Sequence, residues 1–197
     1  MHRINPENQQ VTTEFFVIKN VQMKIPNLLL VAGRGTNAGK TTVICRILEQ
    51  NEDKKIIAVK ITPHFHEITP GLRLLEEGEG YAIYEETSRE GIKDTNRMIR
   101  AGASRVYFAK VRDDKLLFAF NLIMKNTGSD IPVICESPAL RNFAEPGVFI
   151  IMTSDVINKP HDMSKLEKLP HLLLKYEDLA EMQRIPVGFE NRTWAGE

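Results

Sequence analysis

The residues best placed to do chemistry lie between positions 33 and 42, in the run GRGTNAGKTT. Backbone N–H groups in a glycine-rich turn can converge on phosphate oxygens, and a lysine followed by a hydroxyl adds a cation and a ligand for Mg²⁺. Each requirement has a residue here. Gly33, Gly35 and Gly39 permit unusual backbone angles and close approach, while Arg34, Thr36, Asn37 and Ala38 complete the loop. Lys40 is the cation for the outer phosphates, Thr41 the metal-side hydroxyl and Thr42 a further phosphate contact. The spacing departs from the common G-x-x-x-x-G-K-[ST] form, whose first glycine would fall on Arg34. Gly33 comes one residue early and Gly35 one late, so the sequence reads as a slightly enlarged phosphate cradle. Arg34 either reaches a neighbouring subunit's phosphates or lies in solvent, and solvent is the expectation.

Other polar residues gather at the ends of apolar runs. Glu136 closes the run IPVIC, where a carboxylate can hold Mg²⁺ or orient an attacking water. Glu136 is therefore both a catalytic and a metal candidate, and Asp155, one strand later, is a weaker one. Lys60 ends a second apolar run; it either faces the same crevice, where it would neutralise charge on a transferring phosphate, or points into solvent. His64, His66 and Glu67 could ligate a metal or form ordinary polar surface. Asp94, Arg97 and Arg100 could bind an anionic partner or cover a solvated helix face. NKPHD (158–162) resembles a guanine-recognising Asn-Lys-x-Asp run, but its aspartate comes one residue late, and a turn built on Asn and Pro is the better reading.

The elements that must carry these residues alternate. LLLVA (28–32) is a strand buried on both faces, and KTTVICRILEQ is a helix with Val43, Ile44, Ile47 and Leu48 on one stripe. KIIAVKI is a second strand and GYAIYEET a possible short one. KDTNRMIRAGA is a helix with Asp94 as N-cap and Gly102 near its C-cap. RVYFAKV, IPVICE and VFIIMTS are further strands, with a helix over 113–126 closed by Gly128 between the first two. HLLLKYEDLAEMQ gives a last strand and helix, followed by a loose tail in which Trp194 docks. This order predicts a doubly wound α/β fold with a mostly parallel sheet. Residues 27–197 form the domain, and 1–26 an extension in which TEFFVIKN and VQMKI could pair as strands, Pro26 ending the second.

Composition bounds the partners. Of 197 residues, 26 are Lys or Arg and 26 Asp or Glu, so no overall field draws the chain to nucleic acid or an anionic membrane. No run reaches the roughly 20 apolar residues needed to span a bilayer. Cys45 and Cys135 read as free buried thiols, and a cytoplasmic location is expected. The helix around FAFNLIM is apolar over more than one stripe, and burial of the excess by a second copy predicts a homodimer.

The glycine six residues before Gly39 resembles the loop of dethiobiotin synthetase. With AVKITPHFHE, KDTNRMIRAGA, VICES, IIMTSD and LPHLLLKYEDLAEM, the chain over roughly 28–183 resembles the molybdopterin-guanine dinucleotide biosynthesis protein B family. Lys60, His64 and His66 match its strand-end lysine and His-rich loop. Asp94, Thr95, Arg97, Arg100, Ala101, Gly102 and Ala103 match its helix. The resemblance implies a P-loop nucleoside triphosphate hydrolase fold that binds GTP with Mg²⁺, hydrolyses it slowly and serves a protein client in molybdenum-cofactor assembly. Two alternatives stay open: an ATP-dependent small-molecule kinase or ligase resembling dethiobiotin synthetase, and a regulatory protein that binds nucleotide without useful hydrolysis.

Overall fold

The computed structural model describes residues 22–65, 70–128 and 130–197. Its elements, in chain order, are β1 (Met23–Gly33), α1 (Lys40–Gln50), β2 (Ile57–Thr62), β3 (Leu72–Gly78), β4 (Tyr81–Glu86), α2 (Asp94–Arg100), β5 (Arg105–Val111), α3 (Leu116–Lys125), β6 (Val133–Glu136), β7 (Ala144–Thr153), β8 (Leu172–Lys175), β9 (Val187–Glu190) and β10 (Thr193–Gly196). The first eight strands form one sheet in the order β3-β4-β5-β2-β6-β1-β7-β8. From β5 to β8 every pairing is parallel, and only the β3–β4 hairpin joins antiparallel, at the β5 edge. This is the mostly parallel α/β architecture that the alternation of elements predicts.

Both faces of the sheet are covered. Leu28, Leu30 and Ala32 of β1 face the core that includes Leu116, Ala119, Phe120 and Ile123 of α3. Leu29 and Val31 face the opposite core, with Val43, Ile44, Ile47 and Leu48 of α1 and Met98 of α2. Successive strand residues point to opposite faces, so a continuous apolar run is what a strand between two helical layers requires. The parallel strands end together beside the N-terminus of α1, and Gly33, Lys60 and Glu136 are carried at or near those ends.

Several expectations change in detail. Pro26 does not end a strand. Met23, Lys24 and Ile25 pair in parallel with Ala144, Glu145 and Pro146 of β7, and the register shifts between Ile25 and Leu29. A proline, which has no N–H to give a ladder, is tolerated at such an irregularity. Gly147 accommodates it: a Cβ there would collide with the Pro26 carbonyl oxygen and lie 2.7 Å from that of Trp194. Residues 23–26 are thus part of β1, and the rest of the proposed strand pair, TEFFVIKN, lies outside the described residues. The tail is not loose. β9 and β10 form a hairpin whose turn residues Asn191 and Arg192 both have positive φ, with Trp194 buried against Phe189 at 5.3 Å between ring centroids.

Helix boundaries also move. Asp94 opens α2 rather than capping it: Lys93 is the cap, and its N–H donates to Asn96 Oδ1 at 3.2 Å. Gly102 adopts φ 104° just past the helix, as a C-terminal glycine does. The helix expected over 113–126 starts with a tight turn at Asp113–Lys115, and the C-terminal helix is only a short 3₁₀ segment, Glu177–Ala180. The apolar excess on α3 finds partners within the chain. Leu122 and Met124 pack on the core, and Tyr81 meets Phe118 edge-on at 5.4 Å, although Phe118 remains half exposed. Cys45 and Cys135 are free thiols, and burial pushes both upward, Cys45 to about 11. Among the described residues, no helix is long and apolar enough to cross a membrane.

Candidate functional site

The strand ends and the loop between β1 and α1 enclose a cavity of about 770 Å³. The loop divides into two halves. In the first, Arg34 N–H donates to the Met152 carbonyl at 2.9 Å, Thr36 N–H to the Asn158 carbonyl at 2.8 Å, and His161 N–H to the Arg34 carbonyl at 2.8 Å. This half is thus stitched to the segment after β7. A Cβ at Gly35 would lie 2.5 Å from Ile157 Cγ2 and 2.7 Å from the Asn158 oxygen, so glycine is needed for packing there.

The second half is arranged differently. Asn37 and Gly39 take positive φ of 64° and 85°, which turn the chain into α1. Among the described residues, none accepts a hydrogen bond from the backbone N–H groups of Ala38, Gly39, Lys40, Thr41 or Thr42. These groups sit at a helix N-terminus, where the peptide dipoles favour an anion. Lys40 folds over them, its Nζ donating to the Gly35 carbonyl at 3.0 Å, and a Cβ on Gly33 would lie 2.9 Å from Lys40 Cγ. Gly39 is covered by Tyr176, whose Cδ2 would be 2.6 Å from an added Cβ.

Across the cavity runs a connected set of polar side chains. Thr41 Oγ1 donates to Glu136 Oε2 at 3.2 Å, and Lys60 Nζ donates to Glu136 Oε1 at 3.2 Å and to Asp94. Arg97 Nη1 lies 3.7 Å from Asp94 Oδ1, and its Nη2 donates to Thr42 Oγ1 at 3.1 Å. Thr41 and Glu136 are buried. Burial works against the Lys60 ammonium, but the carboxylates of Glu136 and Asp94 outweigh it and hold its pKa above the ordinary lysine value. For Asp94, burial likewise opposes ionisation, and Lys60, helped by Thr41 and Arg97, overcomes it and keeps the carboxyl below its usual range. Both groups are charged at neutral pH.

The structure brings most of the sequence candidates together. Gly33, Thr36 to Thr42, Lys60, His64, Asp94, Arg97 and Glu136 all face the cavity. Lys60, for which solvent was the open alternative, points inward. Arg34 turns elsewhere: its Nε pairs with Glu167 at 2.8 Å, so it neither faces the phosphate cradle nor stands free in solvent. Asp155 pairs with Lys175 at 2.8 Å and lies outside the cavity, away from a metal role. Arg100 donates to the carbonyls of Arg89 and Gly91. The run 158–162 is irregular: Asn158 bridges to Thr36, the chain bends at Lys159 with φ 48°, and Asp162 accepts from Ser164 N–H at 2.9 Å. His66 and Glu67 lie outside the described residues. Sequence reasoning missed Pro138, His161 and Tyr176, which also line the cavity. Tyr176 directly follows β8, and the rule that ligand crevices open at strand C-terminal ends would have flagged it.

No family model and no curated protein matches the chain. Among solved structures it is similar to the "apo" form of LpxK from Aquifex aeolicus in complex with ATP. That match has 12% identity and a TM-score of 0.48, covering 87% of this chain and 54% of LpxK. This chain thus spans about half the length of that protein. A likeness at this level carries nothing about chemistry, and the resemblance to the molybdopterin-guanine dinucleotide biosynthesis protein B family stays with the residues that suggested it.

Proposed function

We propose that the chain binds a nucleoside triphosphate with Mg²⁺, GTP in preference to ATP, and hydrolyses it slowly. The observation that carries the reading is the contact at 3.2 Å between the Thr41 hydroxyl and the Glu136 carboxylate, beside Lys40 and helix N-terminal N–H groups that have no acceptor among the described residues. These donors suit Mg²⁺, which prefers hard oxygen ligands, is held by one or two protein groups, and takes the rest from phosphate and water. Thr41 and Glu136 would hold the ion, which supplies charge neutralisation on the phosphates when bound.

The chain's own groups account for the remainder. Ala38 to Thr42 present N–H groups to phosphate oxygens, and Lys40 reaches the outer phosphates. Glu136 and Lys60 are the catalytic pair, one orienting water or metal and the other neutralising charge on the transferred phosphoryl group. Slow turnover follows from the resting pairings. Lys60 is shared by two carboxylates, and Arg34 is committed to Glu167. The preference for GTP, a protein client in cofactor assembly and a cytoplasmic location rest on the sequence-level arguments above, and a homodimer on the half-exposed Phe118 that the chain leaves on α3.

Titration calorimetry with the Mg²⁺ complexes of GTP and ATP tests the reading. Binding of neither would end it. ATP bound at least about tenfold tighter, roughly 1.4 kcal/mol, would favour an ATP-dependent small-molecule kinase or ligase instead. Single-turnover hydrolysis on the order of tens per second without a partner would rule out the slow-hydrolysis part.

A further inference from the structure

We infer that Arg97 is a phosphate-binding residue that the chain supplies to its own nucleotide, moving from Thr42 and Asp94 onto the polyphosphate. The inference rests on the nucleotide-binding reading and adds to it a residue that the phosphate loop does not contain.

Among the described residues, Arg97 is the arginine facing the cavity. Its neighbours are otherwise engaged. Arg34 pairs with Glu167, Arg46 donates to the carbonyls of Leu179 and Met182, and Arg100 donates to those of Arg89 and Gly91. Arg97 is held more lightly, by one neutral hydroxyl at 3.1 Å and one ion pair at 3.7 Å, and its side chain is 38% exposed. An anion approaching Thr41 and Thr42 offers stronger partners than either, because charged phosphate oxygens bind a guanidinium in the planar forked geometry that a hydroxyl cannot match.

Departure would leave little behind unsatisfied. Asp94 keeps its ion pair with Lys60, and Thr42 is half-buried beside the open cavity. The backbone at this position is meanwhile fixed. Met98 is fully buried, Thr95 Oγ1 donates to the buried Glu86 at 2.7 Å, and Asn96 Nδ2 donates to the Ser88 carbonyl at 3.0 Å. The movement is therefore a change of rotamer on a rigid helix. The competing explanation is that Arg97 only ties α2 to α1 through Thr42.

The experiment compares wild type, R97A and R97K by titration calorimetry with Mg²⁺ and GTP or GDP, substituting ATP and ADP if the wild type prefers them. Wild type is also followed by NMR through the Arg97 Nε–Hε resonance, assigned from its loss in R97K. The expected result is triphosphate binding about tenfold weaker in R97A, intermediate in R97K, and a displaced Nε–Hε signal on adding nucleotide. Unchanged affinity in R97A, or an Nε–Hε signal that stays put at saturation, overturns the inference while leaving the nucleotide reading intact. Should R97A fail to fold, the wild-type resonance decides alone. A wild type that binds no nucleotide removes both.

Discussion

The two halves of the loop between β1 and α1 have similar composition and opposite fates. Arg34 and Thr36 spend backbone groups on the segment 152–161, and Arg34 spends its side chain on Glu167. Ala38 to Thr42 find no acceptor for their N–H groups among the described residues, and with them Lys40 lines the cavity. A glycine in the first half is required by packing against Ile157, and one in the second by a positive φ beneath Tyr176. Glycine-rich sequence therefore does not by itself mark ligand-binding backbone. What distinguishes the halves is where their hydrogen bonds go.

Substitutions can break that contrast. The largest effect is expected from Lys40→Ala, which should weaken Mg²⁺–GTP binding on the order of a hundredfold, with the fold retained. A calorimetric affinity within about threefold of wild type would mean that the second half is no cradle. Next comes Gly35→Ala, whose Cβ would press on Ile157 and the Asn158 carbonyl. It should cost about 1–3 kcal/mol of stability in urea unfolding. Nucleotide affinity should fall less than in Lys40→Ala, and the reverse ranking would erase the division.

A smaller effect concerns pH. Asp94 has its carboxyl held below the unfolded value, so its contribution is present above about pH 4, the ordinary aspartate range, and is lost as pH falls toward the lower folded value. Lys60 acts in the opposite sense, its contribution being complete below about pH 10 and lost as pH rises through its elevated folded value. Asp94→Asn should flatten the acid limb of the stability profile, and an unchanged limb in urea melts would show that the pair is not coupled to folding. The smallest effect is expected from Arg34→Ala. Its half-exposed ion pair with Glu167 should be worth about 0–1 kcal/mol, with nucleotide affinity unchanged, and a marked loss of affinity would return Arg34 to the cradle.

Much of this arrangement was legible because the relevant signals are local. The buried run at 28–32, the GKTT junction and the amphipathic stripe of α1 each announce their structure within a dozen residues, and Glu136 and Lys60 were found because they close apolar runs. β3 was not legible. Its residues are almost all exposed, so no apolar alternation marks LRLLEEG, and only antiparallel pairing with β4 makes it a strand. The β9–β10 hairpin escaped because its turn uses Asn191 and Arg192 where a glycine would have signalled it. The partner of Arg34 and the contact of Tyr176 with Gly39 join residues more than 130 positions apart, and no periodicity carries that information.

Gly147 has a consequence far from the cavity. It lies where the opening strand of the sheet and the closing hairpin both lean on β7, so one backbone position senses whether the two ends of the described fold are seated. A single methyl added there would act as a wedge at the seam while leaving the tip of β7, at Thr153, untouched. Closure of the fold and occupation of the cradle are thus physically separable properties of this molecule.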